Sequence, residues 1–153
     1  MTRFTANNKS AATLKSSRKD VWAALTDPQL LPKLTPYLQS IDVVDDKWTW
    51  NVTKVPVLGR SIGTTFTEVM TFEEPHRIVY THDPSRTDES SGVEGEYLLE
   101  EAGSGCRVSI DLGVSMDLPF PKATRRAVEG AMRGVMAAMG RRFAHNLLKH
   151  LGE

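Results

Sequence analysis

The sequence predicts an α+β fold in which a curved, seven-stranded antiparallel sheet wraps around one long C-terminal helix. Two patterns predict it. From Gln39 to Leu118 apolar residues recur with a period of two, the spacing of strands with one buried face. From about Lys122 to Leu151 the period becomes helical, and Val128, Met132, Val135, Met136, Met139 and Phe143 fall on one stripe. A sheet with one apolar face and a helix with one apolar stripe can cover each other, which satisfies both patterns at once.

The front of the chain supplies a strand and two short helices. The strand runs from about Thr5 to Lys15, with Ala12 and Leu14 on its more apolar face. Ser17 is placed as an N-cap, with Asp20 three positions on, for a helix from Arg18 to Leu25 that turns Val21, Trp22 and Leu25 inward. Asp27-Pro28 caps and begins a second helix, kept short by Pro32 and Pro36.

Six further strands follow. Directly opposed residues of an antiparallel pair share a face, so each hairpin fixes a register. A turn at Asp45-Asp46 sets Val43 opposite Trp48 and Ile41 opposite Trp50, with Val52 on the same face. The bend at residues 73–77 sets Phe72 opposite Ile78, Met70 opposite Tyr80 and Glu68 opposite His82, with Phe66 on the same face. The turn at Gly103 to Gly105 sets Leu99 opposite Val108 and Tyr97 opposite Ile110; Val93, Gly95, Leu112, Val114 and Met116 continue those faces. Asp83 to Gly92 is rich in turn formers and reads as an exposed loop, and Val57 to Gly63 reads as a rim loop. Pro119 and Pro121 end the last strand. Gly130 and Gly134 interrupt the long helix at about 1 kcal/mol each relative to alanine, so tertiary packing is expected to require them.

Composition narrows the function. The 153 residues fit a single domain. Nineteen Lys and Arg balance nineteen Asp and Glu, without the basic surplus that phosphate neutralisation demands of nucleic-acid binders. One cysteine, Cys106, allows no internal disulfide and suits a reducing compartment. The first ten residues lack an apolar signal core, and no window reaches the roughly 20 apolar residues that span a bilayer, so the expected location is the cytoplasm. His76, His145 and His150 have no metal-ligand spacing, and no phosphate loop or nucleophile elbow is present. No metal or cofactor is expected. The sequence sets no oligomeric state.

The run from Ala12 through Ser17, Val21 and Trp22 to Asp27-Pro28 resembles the strand–helix entry of the START-like (SRPBCC) superfamily, and Phe72 to Tyr80 resembles its central hairpin. The resemblance in element order covers essentially the whole chain. It implies the helix-grip fold and a cavity between sheet and helix for a hydrophobic or amphipathic small molecule such as a lipid, fatty acyl chain or polyketide. The wall residues would be Trp48, Trp50, Phe66, Met70, Tyr80 and Tyr97 from the sheet, and Met132, Met136, Met139 and Phe143 from the helix. The same residues would equally serve as a filled core. Glu68 and His82 each interrupt an apolar face, and their register makes them candidates for an acid/base pair or for orienting a ligand's polar end, a role Arg142 at the edge of the helix stripe could share.

Three functions therefore stay open: a small-molecule binder, a cyclase/dehydratase-like enzyme using Glu68 and His82, and a protein-interaction module with a vestigial cavity. Arg125, Arg126, Arg133, Arg141, Arg142 and Lys149 face only Glu129 as an acidic neighbour on the helix. They read as a solvated face, with electrostatic docking as the alternative. Stable membrane insertion is not expected, because the apolar stripe is needed to close the sheet.

Overall fold

A computed structural model describes the chain from Met1 to Glu153. The elements are β1 (Thr2–Leu14), α1 (Arg18–Leu25), α2 (Leu31–Leu34), β2 (Leu38–Val44), β3 (Lys47–Val57), β4 (Arg60–Glu73), β5 (Arg77–His82), β6 (Ser91–Ala102), β7 (Gly105–Leu118) and α3 (Arg125–His150), the last entered through a 3-10 turn at Lys122–Thr124. The strands form one antiparallel sheet in the order β1-β7-β6-β5-β4-β3-β2. This is the α+β helix-grip arrangement, with the sheet curled about the long helix.

Every register expected from the hairpins is present: Val43 opposite Trp48, Ile41 opposite Trp50, Met70 opposite Tyr80, Glu68 opposite His82, Leu99 opposite Val108 and Tyr97 opposite Ile110. The Ser17 hydroxyl accepts from the Asp20 N–H at 3.2 Å, and α1 has the expected bounds. Gly95 lets β6 press onto β7, since a Cβ there would stand 2.2 Å from the Asp111 carbonyl oxygen.

Several expectations are corrected. On β1, Leu14 is buried but Ala12 is exposed; Phe4 and Ala6, at the other end of the same face, carry the packing. The helix expected at Pro28 begins only at Leu31. Asp27 caps a turn before it, accepting from the Gln29 and Leu30 N–H groups at 2.9 and 3.2 Å. Val57 to Gly63 is not a rim loop but a tight hairpin, with Val57 opposite Arg60 and left-handed φ values of 46° at Leu58 and 78° at Gly59. Asp83 to Gly92 does not project freely. Asp83 and Ser91 are buried, Asp83 pairs with Lys47 at 3.1 Å, and the Glu89 carboxylate is drawn back onto β4. The glycines of α3 are not demanded by packing: a Cβ at Gly134 or Gly140 would meet nothing within 4 Å, and one at Gly130 only the Arg133 guanidinium at 3.8 Å.

The apolar core divides in two. The larger cluster joins α1, α2 and one end of the sheet to Leu147 of α3, around Leu14, Val21, Ile78 and Leu99. The smaller joins Phe4, Ala6, Val55, Val57 and Leu118 to Val128 and Met132. Two carboxylates reinforce these attachments. Glu129 accepts from the Thr5 N–H at 2.8 Å and from Arg125 at 3.1 Å. Glu153 accepts from the Lys15 N–H at 2.7 Å, the Ser16 N–H at 3.0 Å and the Ser16 hydroxyl at 2.6 Å.

These donors hold both carboxyls below the ordinary glutamate value, chiefly through the Thr5 N–H for Glu129 and the Ser16 hydroxyl for Glu153. Stability from a lowered carboxyl pKa is present above the unfolded value and is lost as pH falls through the folded one. Hydrogen-exchange protection of the Thr5, Lys15 and Ser16 amides should therefore fall as the pH drops below 4.5, and Glu153→Ala should remove it at Lys15 and Ser16 at neutral pH. Because the helix glycines meet open space, Gly134→Ala and Gly140→Ala should each raise stability by up to about 1 kcal/mol, read as a higher thermal midpoint.

Candidate functional site

The inward rows of the sheet share one burial pattern. On β7, Cys106, Val108 and Leu118 are buried, whereas Ile110, Leu112, Val114 and Met116 between them are only half-buried. On β6, Ser91 and Leu99 are buried and Val93, Gly95 and Tyr97 are not. On β3, Trp48, Val55 and Val57 are buried while Trp50 and Val52 remain partly accessible; a bulge between Val52 and Val55 restores the inward face. The facing helix repeats it: Val128, Met132 and Leu147 are buried, and Val135, Met136, Met139 and Phe143 are half-buried. Both walls are sealed at their ends and partly accessible in the middle.

This pattern sorts the expected wall residues. Trp48, Met70, Tyr80 and Met132 belong to the packed ends, whereas Trp50, Phe66, Tyr97, Met136, Met139 and Phe143 flank the open middle. Trp50 stacks on Phe66 with ring centroids 6.2 Å apart, and Tyr97 meets Tyr80 edge-on at 5.6 Å. Val43 and Phe72, expected on the same face, are 45% and 41% exposed at the margin of the sheet, where Phe72 touches Trp22 and Trp48. Arg142 is exposed to solvent and makes no hydrogen bond or ion pair with Glu68 or His82. Val52, Val93, Ile110 and Leu112 complete the partly accessible wall; their alternation marked the face, but nothing in it distinguished the middle from the ends.

Glu68 is the polar centre of this wall. β5 stops at His82, while β4 continues to Arg60 and β6 extends to Ser91, so a gap opens between β4 and β6. Glu68 spans it: its Oε1 accepts from the Val93 N–H at 2.7 Å, and the Thr64 and Ser91 hydroxyls hydrogen-bond across the same gap. The residue is 1% exposed, and its Oε2 has no partner. Burial, above all, pushes its pKa up to about 8; the Val93 N–H opposes this, and Glu89 and Glu94 add to it. At neutral pH the carboxyl therefore keeps its proton. The Trp50 indole N–H is also buried without a partner, and burial raises the Tyr80 and Tyr97 phenols, so these too stay neutral.

His82 is opposite Glu68 in register but bonds elsewhere. Its Nε2 lies 2.8 Å from Glu89 Oε1, and its ring rests on Gly92, where a Cβ would stand 2.9 Å from His82 Cγ. The Glu89 carboxylate also accepts from the Thr67 N–H at 2.7 Å and the Thr67 hydroxyl at 2.8 Å. Glu68 and His82 thus form no hydrogen-bonded dyad. Glu89 escaped the sequence reading because it stands in a polar run with no periodicity.

Two open surface depressions, of about 350 and 650 Å³, lie elsewhere: one on the outer side of β1, β6 and β7 near Lys9 and Asp111, the other beside α1 near Arg18 and Glu74. No three His, Cys, Asp or Glu side chains are gathered as metal ligands. No helix is long and apolar enough to cross a membrane.

The sequence model of a family described as polyketide cyclase / dehydrase and lipid transport matches residues 6–151. The chain belongs to this family. No curated protein sequence matches it. Among solved structures, a conserved protein from Geobacillus kaustophilus is similar at 15% identity and a TM-score of 0.73, with 95% of each chain covered. A START superfamily protein from Mycobacterium smegmatis is similar at 14% identity and a TM-score of 0.69, covering 94% of this chain and 95% of that one. The di-domain ARO/CYC StfQ from the steffimycin biosynthetic pathway is similar at 13% identity and a TM-score of 0.66, covering 95% of this chain and 50% of StfQ. At these identities the structural likeness shows a shared fold in this polyketide cyclase / dehydrase and lipid transport family member.

A raised carboxyl pKa lowers stability as pH rises from the unfolded value to the folded one, because only the unfolded chain ionises in that window. Between pH 4.5 and about 8 Glu68 should cost the wild type on the order of a few kcal/mol. Glu68→Gln keeps an acceptor for Val93 and does not ionise. Its thermal midpoint should therefore gain on the wild type steadily across this window.

Proposed function

We propose that the protein binds a hydrophobic or amphipathic small molecule, a lipid, fatty acyl chain or polyketide-like compound, between the sheet and α3. The carrying observation is that both walls are sealed at the ends and partly accessible in the middle. Covering the apolar faces of Trp50, Tyr97, Met136 and Phe143 would supply roughly 25 cal/mol per Å², from which the cost of ordering is subtracted. The thioethers of Met136 and Met139 adapt to irregular shapes, which suits a ligand of loose outline. Glu68 would receive its polar end. The family description and the biosynthetic context of StfQ support the same class of ligand. Residues 1–153 would act as one domain in the cytoplasm.

Native mass spectrometry of the purified protein, with organic extraction of what it releases, tests this reading. A stoichiometric hydrophobic adduct is expected. Met136→Trp fills the middle of the cleft and should abolish the adduct while leaving the fold intact. An adduct that survives Met136→Trp would place the ligand elsewhere, and a protein that takes up no hydrophobic probe would favour an interaction module.

A second reading, a cyclase/dehydratase-like enzyme, is favoured by the carboxyl of Glu68, raised to about 8 in an apolar wall. A neutral acid there can donate a proton to a ligand oxygen. His82, held by Glu89, would act only by fixing the neighbouring chain. On this reading Glu68→Gln should abolish turnover of a bound ketide, at least about a hundredfold, while leaving its binding within a few-fold.

A further inference from the structure

At the end of the sheet where β3 turns into β4, the chain departs from local preference twice. Leu58 takes the first place of the two-residue turn with a φ of 46°, a left-handed conformation that selects Asn, Asp or Gly. Its side chain is 51% exposed, so burial does not compensate. α3 begins beside it with no acidic residue in its first turn and no side-chain cap, carrying Arg125 and Arg126 after Lys122 instead. These cations oppose the positive end of the helix dipole. Arg125 is held by the Arg3 carbonyl oxygen at 3.0 Å, by Glu129 and by the Phe4 ring, but Lys122, Arg126 and the Leu58 conformation bring no such contact, and that is where a functional surface is expected.

The two features lie together. The Arg60 guanidinium rests 5.8 Å over the Phe120 ring, and Val55 and Val57 pack with Val128 and Met132. The surface they form exposes Pro56, Leu58, Pro119 and Pro121 among Lys54, Arg60, Lys122 and Arg126, and none of these four cations is in an ion pair. No Asp or Glu occurs from Val52 to Thr67 or from Leu118 to Val128. The bordering carboxylates are engaged, Asp117 by Arg3 at 3.4 Å and Glu129 by the Thr5 N–H and Arg125. The balanced net charge of the chain hides this local excess.

We propose that this end of the molecule docks on an anionic lipid bilayer, with Leu58 and its flanking prolines at the interface and Lys54, Arg60, Lys122 and Arg126 over the headgroups. A protruding turn with a ring of cations suits a fluid anionic surface, where each cation adds attraction and one apolar tip anchors it. A protein partner would need a shaped patch of some 800 Å² on each side. The docking is independent of what the cleft holds.

Co-sedimentation of the full chain with phosphatidylcholine vesicles, with and without phosphatidylserine, tests it. Pelleting should require phosphatidylserine and be reversed by salt. Lys54→Glu with Arg60→Glu should weaken it at least about tenfold. Leu58→Asn should weaken it as well, and the resulting Asn-Gly pair is the one this turn prefers, so the hairpin is kept. Arg141→Glu with Arg142→Glu, on the distant half of α3, should change nothing. Absence of phosphatidylserine-dependent pelleting, undiminished binding by the hairpin variants, or an equal loss from the Arg141/Arg142 pair would each overturn the proposal.

Discussion

The attachment of α3 to β1 at two points sets the rest of this structure. Thr5 to Leu14 of β1 extends roughly 30 Å at strand rise, and Glu129 to His150 rises roughly 32 Å along the helix. The matched lengths let one strand receive the helix at both ends, through Glu129 on the Thr5 N–H and Glu153 on the Lys15 and Ser16 N–H groups. Val128 and Met132 at one end and Leu147 at the other then carry the apolar packing. The helix between these anchors needs no tight partner, which is why its methionines and the facing rows of β3, β6 and β7 remain partly accessible.

Much of this was legible in the sequence because short turns convert periodicity into register. Once Asp45-Asp46, the bend after Phe72 and the Gly103 to Gly105 turn are fixed, each opposed pair follows. Glu68 stood out as a carboxyl on an apolar face. Its partner did not follow from register, because opposition fixes Cα positions and not the direction of a side chain at a strand end. His82, the last residue of β5, turns to Glu89. The clamps of Glu129 and Glu153 and the stitch from Glu89 to Thr67 join side chains to distant backbone N–H groups, and no repeat in the chain signals such bonds. The first strand misled for a related reason: Phe4 and Ala6 are buried by the far end of the helix, not by local pattern.

Glu68 also shows how one residue serves two needs. Its Oε1 replaces a missing ladder bond to Val93, which burial makes necessary, and the same burial keeps its second oxygen protonated and unpartnered. The surface follows the opposite rule. Lys54, Arg60, Lys122 and Arg126 gather without ion-pair partners at the β3–β4 turn and the start of α3, while Asp117 and Glu129 nearby are engaged in holding the chain together.

The brevity of β5 gives the sheet a fault line. β5 and β6 are laddered only from Arg77 to Tyr80, whereas β6 with β7 and β7 with β1 are laddered along nearly their whole lengths. Beyond Tyr80 no ladder joins β4 or β5 to β6; Glu68 to Val93 and Thr64 to Ser91 bridge the strands there, beside the 83–90 connection. A sheet built this way behaves as two ribbons, β2 to β5 and β6-β7-β1, joined by a short seam. Local opening follows the fewest backbone bonds. Opening of the sheet would therefore break the fewest backbone hydrogen bonds along this seam, where side chains bound the space beneath α3.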